Sequence, residues 1–187
     1  MIYFTSDYHF YHTNVLKYCN RPFSTVEEMN EFLISQWRQT VKPHDEVYFL
    51  GDFTLTRRKD LIDAILNRLT GRIKLVSGNH DSGLLKYYGR GQIHNFAQCS
   101  LEILPDLYRL KYNKNVFLLC HYPVLNWGFE DFMLHGHCHG KKQFLISHSV
   151  DVGWDCHKKP ISIDEITQFL VDRDGPIGDR RNRKIIQ

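Results

Sequence analysis

Five short hydrophobic runs each lead straight into residues able to hold a metal ion. Ile2-Tyr3-Phe4 precedes Asp7 and His9, and Val47 to Leu50 precedes Gly51-Asp52. Ile73 to Val76 precedes Gly78-Asn79-His80-Asp81, Val116 to Leu119 precedes His121, and Phe132-Met133-Leu134 precedes Gly136-His137-Cys138-His139-Gly140. Two aspartates, an asparagine and several histidines make an oxygen–nitrogen donor set too large for one ion. The set fits two divalent ions sharing one carboxylate, which is apparatus for phosphoryl chemistry. With no thiolate in it, Mn²⁺, Fe, Zn²⁺, Ni²⁺ and Co²⁺ all qualify, and Mn²⁺ is the expectation for activity in vitro.

Such residues converge only if the elements behind them bring them to one edge. Strands that end in ligands, joined by helices, place those ligands along the carboxyl-end rim of a sheet. Ser24 and Thr25, followed by Glu27 and Glu28, signal a helix start, and Val26, Met29, Leu33 and Trp37 continue at helical spacing. A second helix is predicted over residues 58–70, with Gly71 as its C-cap. Gly83, Gly89 and Gly91 suggest a loop or broken helix. Strands follow near 93–97, 100–104, 107–112, 116–120 and 144–152, then a final helix opening at Ser162-x-x-Glu165. D-x-H and H-x-H at strand ends would put each pair on one side by strand alternation, with Cys138 facing away as filler. The fold class is α/β (α+β by some schemes), with two packed sheets flanked by helices. One domain covers residues 1–175, and 176–187 form a basic tail.

The 187 residues suffice for one domain with a real core. At 42% hydrophobic and 24% charged the composition is that of an ordinary globular protein, and no apolar run reaches the roughly 20 residues of a membrane helix. The N-terminus reads as a strand rather than a signal peptide, so the expected compartment is cytoplasmic, of the cell or of a host. Five scattered cysteines without a CxxC pair argue for reduced thiols. The tail carries four basic residues against one acidic, which accounts for the net charge of +3. A solvated terminus or a nucleic-acid contact would explain it.

The order D-x-H, G-D, G-N-H-D, H-Y-P and G-H-x-H resembles the calcineurin-like metallophosphoesterase superfamily, over residues 1 to about 155, and the opening block looks like its small bacterial and phage branch. The resemblance implies a β-sandwich with a dinuclear metal site. Asp7, His9, Asp52 and His139 would hold the first ion. Asp52, Asn79, His121 and His137 would hold the second, with Asp52 as bridge and His80 as catalytic acid. Two ions about 3.5–4 Å apart would acidify a bridging water into the attacking hydroxide, and an imidazole would protonate the leaving alkoxide. The D-R-G that follows G-D in protein phosphatases is absent, so the carboxylate orienting His80 is open; Asp81 could serve, although adjacent residues on an extended chain point apart.

This departure favours a phosphodiesterase acting on a small nucleotide or other phosphodiester. A phosphomonoesterase or phosphoprotein phosphatase, a nuclease, and a non-catalytic metal-stabilised module are the alternatives. A metallo-β-lactamase-type site is excluded by the missing H-x-H-x-D-H. His12 and Arg21 could reach a phosphate, and Asn126, Trp127 and Phe129 could wall a substrate pocket, Trp127 by stacking on a base. His44, His94, His135, His148 and His157 match no motif. A chain this short leaves little for a cap, which implies an open site or one completed by a second subunit in a homodimer.

Overall fold

The computed structural model describes residues 1–127, 131–141 and 148–174. Phe129, residues 144–147 of the strand expected over 144–152 and the basic tail at 176–187 lie outside the described residues. Strand β1 (Ile2–Thr5) leads through a one-turn helix α1 (Val15–Tyr18) to α2 (Val26–Thr40), β2 (Glu46–Phe49), α3 (Lys59–Leu66), β3 (Gly71–Val76) and α4 (Ser82–Tyr88). Then come β4 (Ile93–Asn95), β5 (Cys99–Leu104), β6 (Leu107–Tyr112), β7 (Asn115–Cys120), β8 (Phe132–His135) and β9 (Ser149–Asp151). A short helix α5 (Trp154–His157), β10 (Ile161–Ser162) and α6 (Ile163–Asp174) complete the described chain.

Among the described residues these strands make two sheets, ordered β10-β1-β2-β3-β5-β4 and β6-β7-β8-β9. β1, β2, β3 and β5 run parallel, as do β7, β8 and β9. The fold is therefore mixed α/β, two sheets with flanking helices. Alternation within each strand feeds two cores. Val47 and Phe49 face α2 and α3, whose Met29, Leu33, Trp37, Ile62 and Leu66 are buried against them. Phe4, Tyr48 and Leu50 face the second sheet, meeting Phe117, Leu119, Phe132 and Leu134. A parallel sheet covered on both faces needs such apolar strands.

The helix signals work locally. Thr25 Oγ1 accepts from Glu28 N at 3.1 Å while Glu28 accepts from Ser24 N at 2.8 Å. Ser162 and Glu165 exchange the reciprocal pair of a capping box. Gly71, in contrast, is no helix cap. The helix ends at Leu66, and Gly71 opens β3 with φ +87°, where a Cβ would meet Val41 Cγ1 at 2.9 Å. Of the loop or broken helix expected after Asp81, the structure has the helix, α4, which runs through Gly83 and stops at Gly89.

Candidate metal centre

Each ligand-bearing strand stops before its ligand, so the functional residues sit on loops fixed by the sheet edge. Asp7, His9, Asp52, His137 and His139 have φ of 59°, 55°, 56°, 68° and 50°. Left-handed backbone at non-glycine residues costs about 1–2 kcal/mol each. The D-x-H and H-x-H pairs thus converge through strained turns and not, as expected, through strand alternation. The turns hold one another. Asp7 N donates to Gly51 O, His9 N to Asp52 O and Gly136 N to His121 O, all at 3.0 Å. His137 N donates to the Asp7 carboxylate, 3.0 Å from Oδ2. Gly78 and Gly136 permit this closeness, because a Cβ on either would strike the carboxylate of Asp52 or Asp7.

Two ligand groups result. Asp7, His9 and His139 offer donor atoms within 4.8 Å of one another, and so do Asp52, His121 and His137. Asp52 Oδ2 joins them, 3.6 Å from His9 Nε2 and 3.5 Å from His121 Nε2. Asn79 Oδ1 is 3.2 Å from His121 Nε2. All seven residues named from the motifs therefore share one locus.

The donor set fits a cation. His121 Nδ1 donates to Leu50 O at 2.8 Å, which turns its Nε2 toward Asp52. Burial keeps His9 neutral, its pKa well below the usual value. His9 Nε2 is buried without a hydrogen-bond partner. A buried polar atom left unpaired costs about 1–3 kcal/mol, and a metal ion at this position would satisfy it. Burial pushes the Asp7 carboxyl up to about 6. Burial opposes ionisation of Asp52 too, but the His121 hydrogen bond and charge hold it down to about 2.

His80 stands beside these groups. Its Nε2 is 3.9 Å from Asp52 Oδ2, its side chain is 31% exposed, and its backbone N–H donates to Asp52 Oδ1 at 2.9 Å. Its ring lies 5.3 Å from that of His9 and 5.4 Å from that of His12. The seven ligands and this histidine follow the motif order of a known family. A family model described as calcineurin-like phosphoesterase matches residues 1–179. This chain belongs to the calcineurin-like phosphoesterases. It is 35% identical to the uncharacterized protein MJ1445 of Methanocaldococcus jannaschii over 182 residues, 90% of each chain. It is 26% identical to the Gene 66 protein of Mycobacterium phage L5, over 89% of this chain and 92% of that one. Among solved structures, a protein of unknown function from Aquifex aeolicus superposes with a TM-score of 0.69 at 26% identity, over 90% of this chain and 98% of that one. The chain is thus a metal-dependent phosphoesterase, a hydrolase. No helix among its described residues is long and apolar enough to cross a membrane.

Asp81 does not orient His80 in this phosphoesterase. Its carboxylate is fully buried and accepts from the backbone N–H groups of Asp52 (2.8 Å), Phe53 (2.8 Å), Thr54 (3.3 Å) and Gly78 (2.9 Å). It gathers the two loops that carry Asp52 and Asn79. Asp81→Ala leaves the buried donors of Asp52, Phe53 and Thr54 unpaired, so we expect a loss of at least about 3 kcal/mol, at about 1–3 kcal/mol per orphaned group. For a chain of this size that lowers Tm by about 6–12 °C, measurable by calorimetry on the metal-free protein.

Arg21 is no phosphate clamp either. It is 4% exposed and makes a two-pronged pair with Asp155 at 2.9 and 2.8 Å. It also donates to Tyr8 O at 2.8 Å and Asp7 O at 2.5 Å. Asp155 in turn accepts from His139 Nδ1 at 2.7 Å, and Cys19 Sγ lies 3.2 Å from the same nitrogen. Arg21 therefore fixes the carboxylate that turns His139 Nε2 toward Asp7. Asp155 escaped the sequence reading because it sits on a four-residue helix that shows no periodicity and matches no motif. His12 does lie at the centre, its Nδ1 3.2 Å from His9 Nδ1. Asn126 is exposed and Trp127 half-buried on the segment after β7. Tyr122, which the sequence reading did not single out, is 3.4 Å from Asn79 Oδ1 and edge-on to His121 and His137.

Loss of the charge in Asp155→Asn should weaken metal binding or activity by about 10–100-fold, the usual effect of losing a carboxylate behind a ligating histidine. Metal titration calorimetry reads it. The pair also has a pH signature in the metal-free protein. Burial opposes protonation of His139, but Asp155 outweighs it and lifts the pKa to about 10. Burial also opposes ionisation of Asp155, yet His139 and Arg21 hold its pKa down to about 2. The raised histidine stabilises fully below its unfolded value and loses that contribution as pH rises toward about 10. The lowered carboxyl stabilises above its unfolded value and loses that contribution as pH falls toward about 2. Thermal stability supplied by this pair should therefore be greatest between the unfolded pKa values, about 4 to 6.5. Asp155→Asn should flatten the profile.

Proposed function

We propose that this phosphoesterase is a phosphodiesterase for a small nucleotide or similar diester, working with two divalent ions, Mn²⁺ by preference, in the cytoplasm. Asp7, His9, Asp52 and His139 would hold one ion, and Asp52, Asn79, His121 and His137 the other. When bound, the ions supply acidification of water at neutral pH and Lewis-acid polarisation of the phosphoryl group. His80, beside Asp52 and partly open to solvent, protonates the leaving oxygen. His12, packed against the rings of both His9 and His80, would hold the His80 ring in place beside the centre. The cytoplasmic assignment rests on five cysteines that are all unpaired.

The observation that carries the diester reading is a pair of exposed tyrosines at the two ends of the histidine cluster. Tyr18, 72% exposed, stands edge-on to His12; Tyr122, 45% exposed, stands edge-on to His137. A phosphodiester carries two substituents, and each tyrosine offers one a flat, partly apolar face. Arg21, the guanidinium that could have reached a phosphate, is buried in its pair with Asp155 and so adds no positive charge for the second negative charge of a monoester. The test compares bis-p-nitrophenyl phosphate with p-nitrophenyl phosphate on Mn²⁺-loaded protein, beside Tyr18→Ala and Tyr122→Ala. Faster diester cleavage, with KM raised in both variants, supports the reading. Faster monoester cleavage refutes it.

A further inference from the structure

The loop that presents His137 and His139 carries a different donor set between them. Cys138, 7% exposed, joins neither ligand group of the phosphoesterase centre. Its sulfur meets His135 and Asp151 instead, and one donor atom from each of the three lies within 4.8 Å of the others. His135 is 2% exposed, and its Nδ1 donates to Gly136 O at 2.9 Å. That bond leaves the Nε2 lone pair free. Asp151 accepts from Gly153 N at 2.8 Å on one oxygen and from Gly140 N at 2.9 Å on the other. Each oxygen keeps a second lone pair, and the two amides hold the carboxylate in place. Cys156 lines, with these three, a cavity of about 170 Å³.

We propose that His135, Cys138 and Asp151 form a separate binding site for one thiophilic divalent cation, Zn²⁺ by its chemistry, with Cys156 or a water in the fourth position. Zinc takes thiolate, imidazole and carboxylate in a tetrahedron, whereas the dinuclear set offers no thiolate. Binding releases the Cys138 proton to solvent. The ligands come from the end of β8, from the loop and from the end of β9, so the ion would pin the loop that delivers His137 and His139. The role is structural, and the site stands or falls independently of the phosphodiesterase reading. The competing account is a plain hydrogen-bonded network among the same groups.

Cobalt(II) separates the two, because thiolate ligation gives it a near-ultraviolet charge-transfer band that oxygen and nitrogen ligands do not. Full-length protein saturated with Co²⁺ should develop this band at the intensity of one thiolate-bound ion per chain. The band should persist in Asp52→Asn, where the dinuclear centre is disabled, and in Cys19→Ser, which removes the thiol beside His139. It should vanish in Cys138→Ser. No band in the unmodified chain overturns the proposal, as does a band lost in Cys19→Ser but kept in Cys138→Ser. Should Cys138→Ser fail to fold, X-ray absorption of the zinc-loaded unmodified chain decides. A sulfur neighbour at about 2.3 Å supports the site, and a shell of only nitrogen and oxygen overturns it.

Discussion

Asp52→Asn should cut phosphoester hydrolysis by at least about 10³-fold, about 4 kcal/mol of transition-state stabilisation, and should release both ions. Asp52 Oδ2 faces His9 on one side and His121 on the other, at 3.6 and 3.5 Å. Asparagine keeps the shape and can still accept the His80 N–H, and the backbone bond from residue 52 to Asp81 is unaffected. What it removes is the negative charge that would lie between two cations. The measurements are elemental metal analysis after gel filtration and kcat/KM with saturating Mn²⁺. An Asn variant that retains two ions per chain would remove Asp52 from the bridging position.

His80→Gln should behave differently. His80 belongs to no strained turn and its side chain is partly exposed, so the variant should fold and keep its metals. Its kcat should fall by about 10²–10⁴, the usual contribution of a positioned general acid. The loss should depend on the leaving group. A p-nitrophenolate departs without a proton, whereas the alkoxide of a nucleotide diester needs one. The variant should therefore lose much more activity on a dinucleotide than on bis-p-nitrophenyl phosphate. Equal losses on both would mean that His80 stabilises charge on the phosphoryl group and transfers no proton.

The candidate ligands were legible because each follows a hydrophobic run, with a glycine just before Asp52, Asn79 and His137, and because strand ends in a mixed sheet share an edge. Asp7, His9, Asp52, Asn79, His121, His137 and His139 meet as their order suggested. The means of convergence was not legible. Left-handed backbone at Asp7, His9, Asp52, His137 and His139 leaves only a weak residue-type signal, because Asp and His enter that region more readily than most residues yet seldom do so; here it is imposed by loops bonded to one another across the sheet edge. The same limit hid the supporting residues. Arg21 and Asp155 are 134 positions apart, and their pairing depends on where α5 comes to rest. Asp81 reads as a neighbour of His80 in the chain, yet its carboxylate serves the amides of another loop. Cys138 read as filler because an extended turn would face it away from the side of His137 and His139. Its own partners, His135 and Asp151, come from two different strands.

The central claim, two ions bridged by Asp52, is tested most directly by anomalous diffraction from crystals loaded with Mn²⁺ alone. The account predicts two manganese peaks on either side of Asp52. One should lie among Asp7, His9 and His139, the other among Asn79, His121 and His137. A single peak, or two peaks that do not share Asp52, would contradict it.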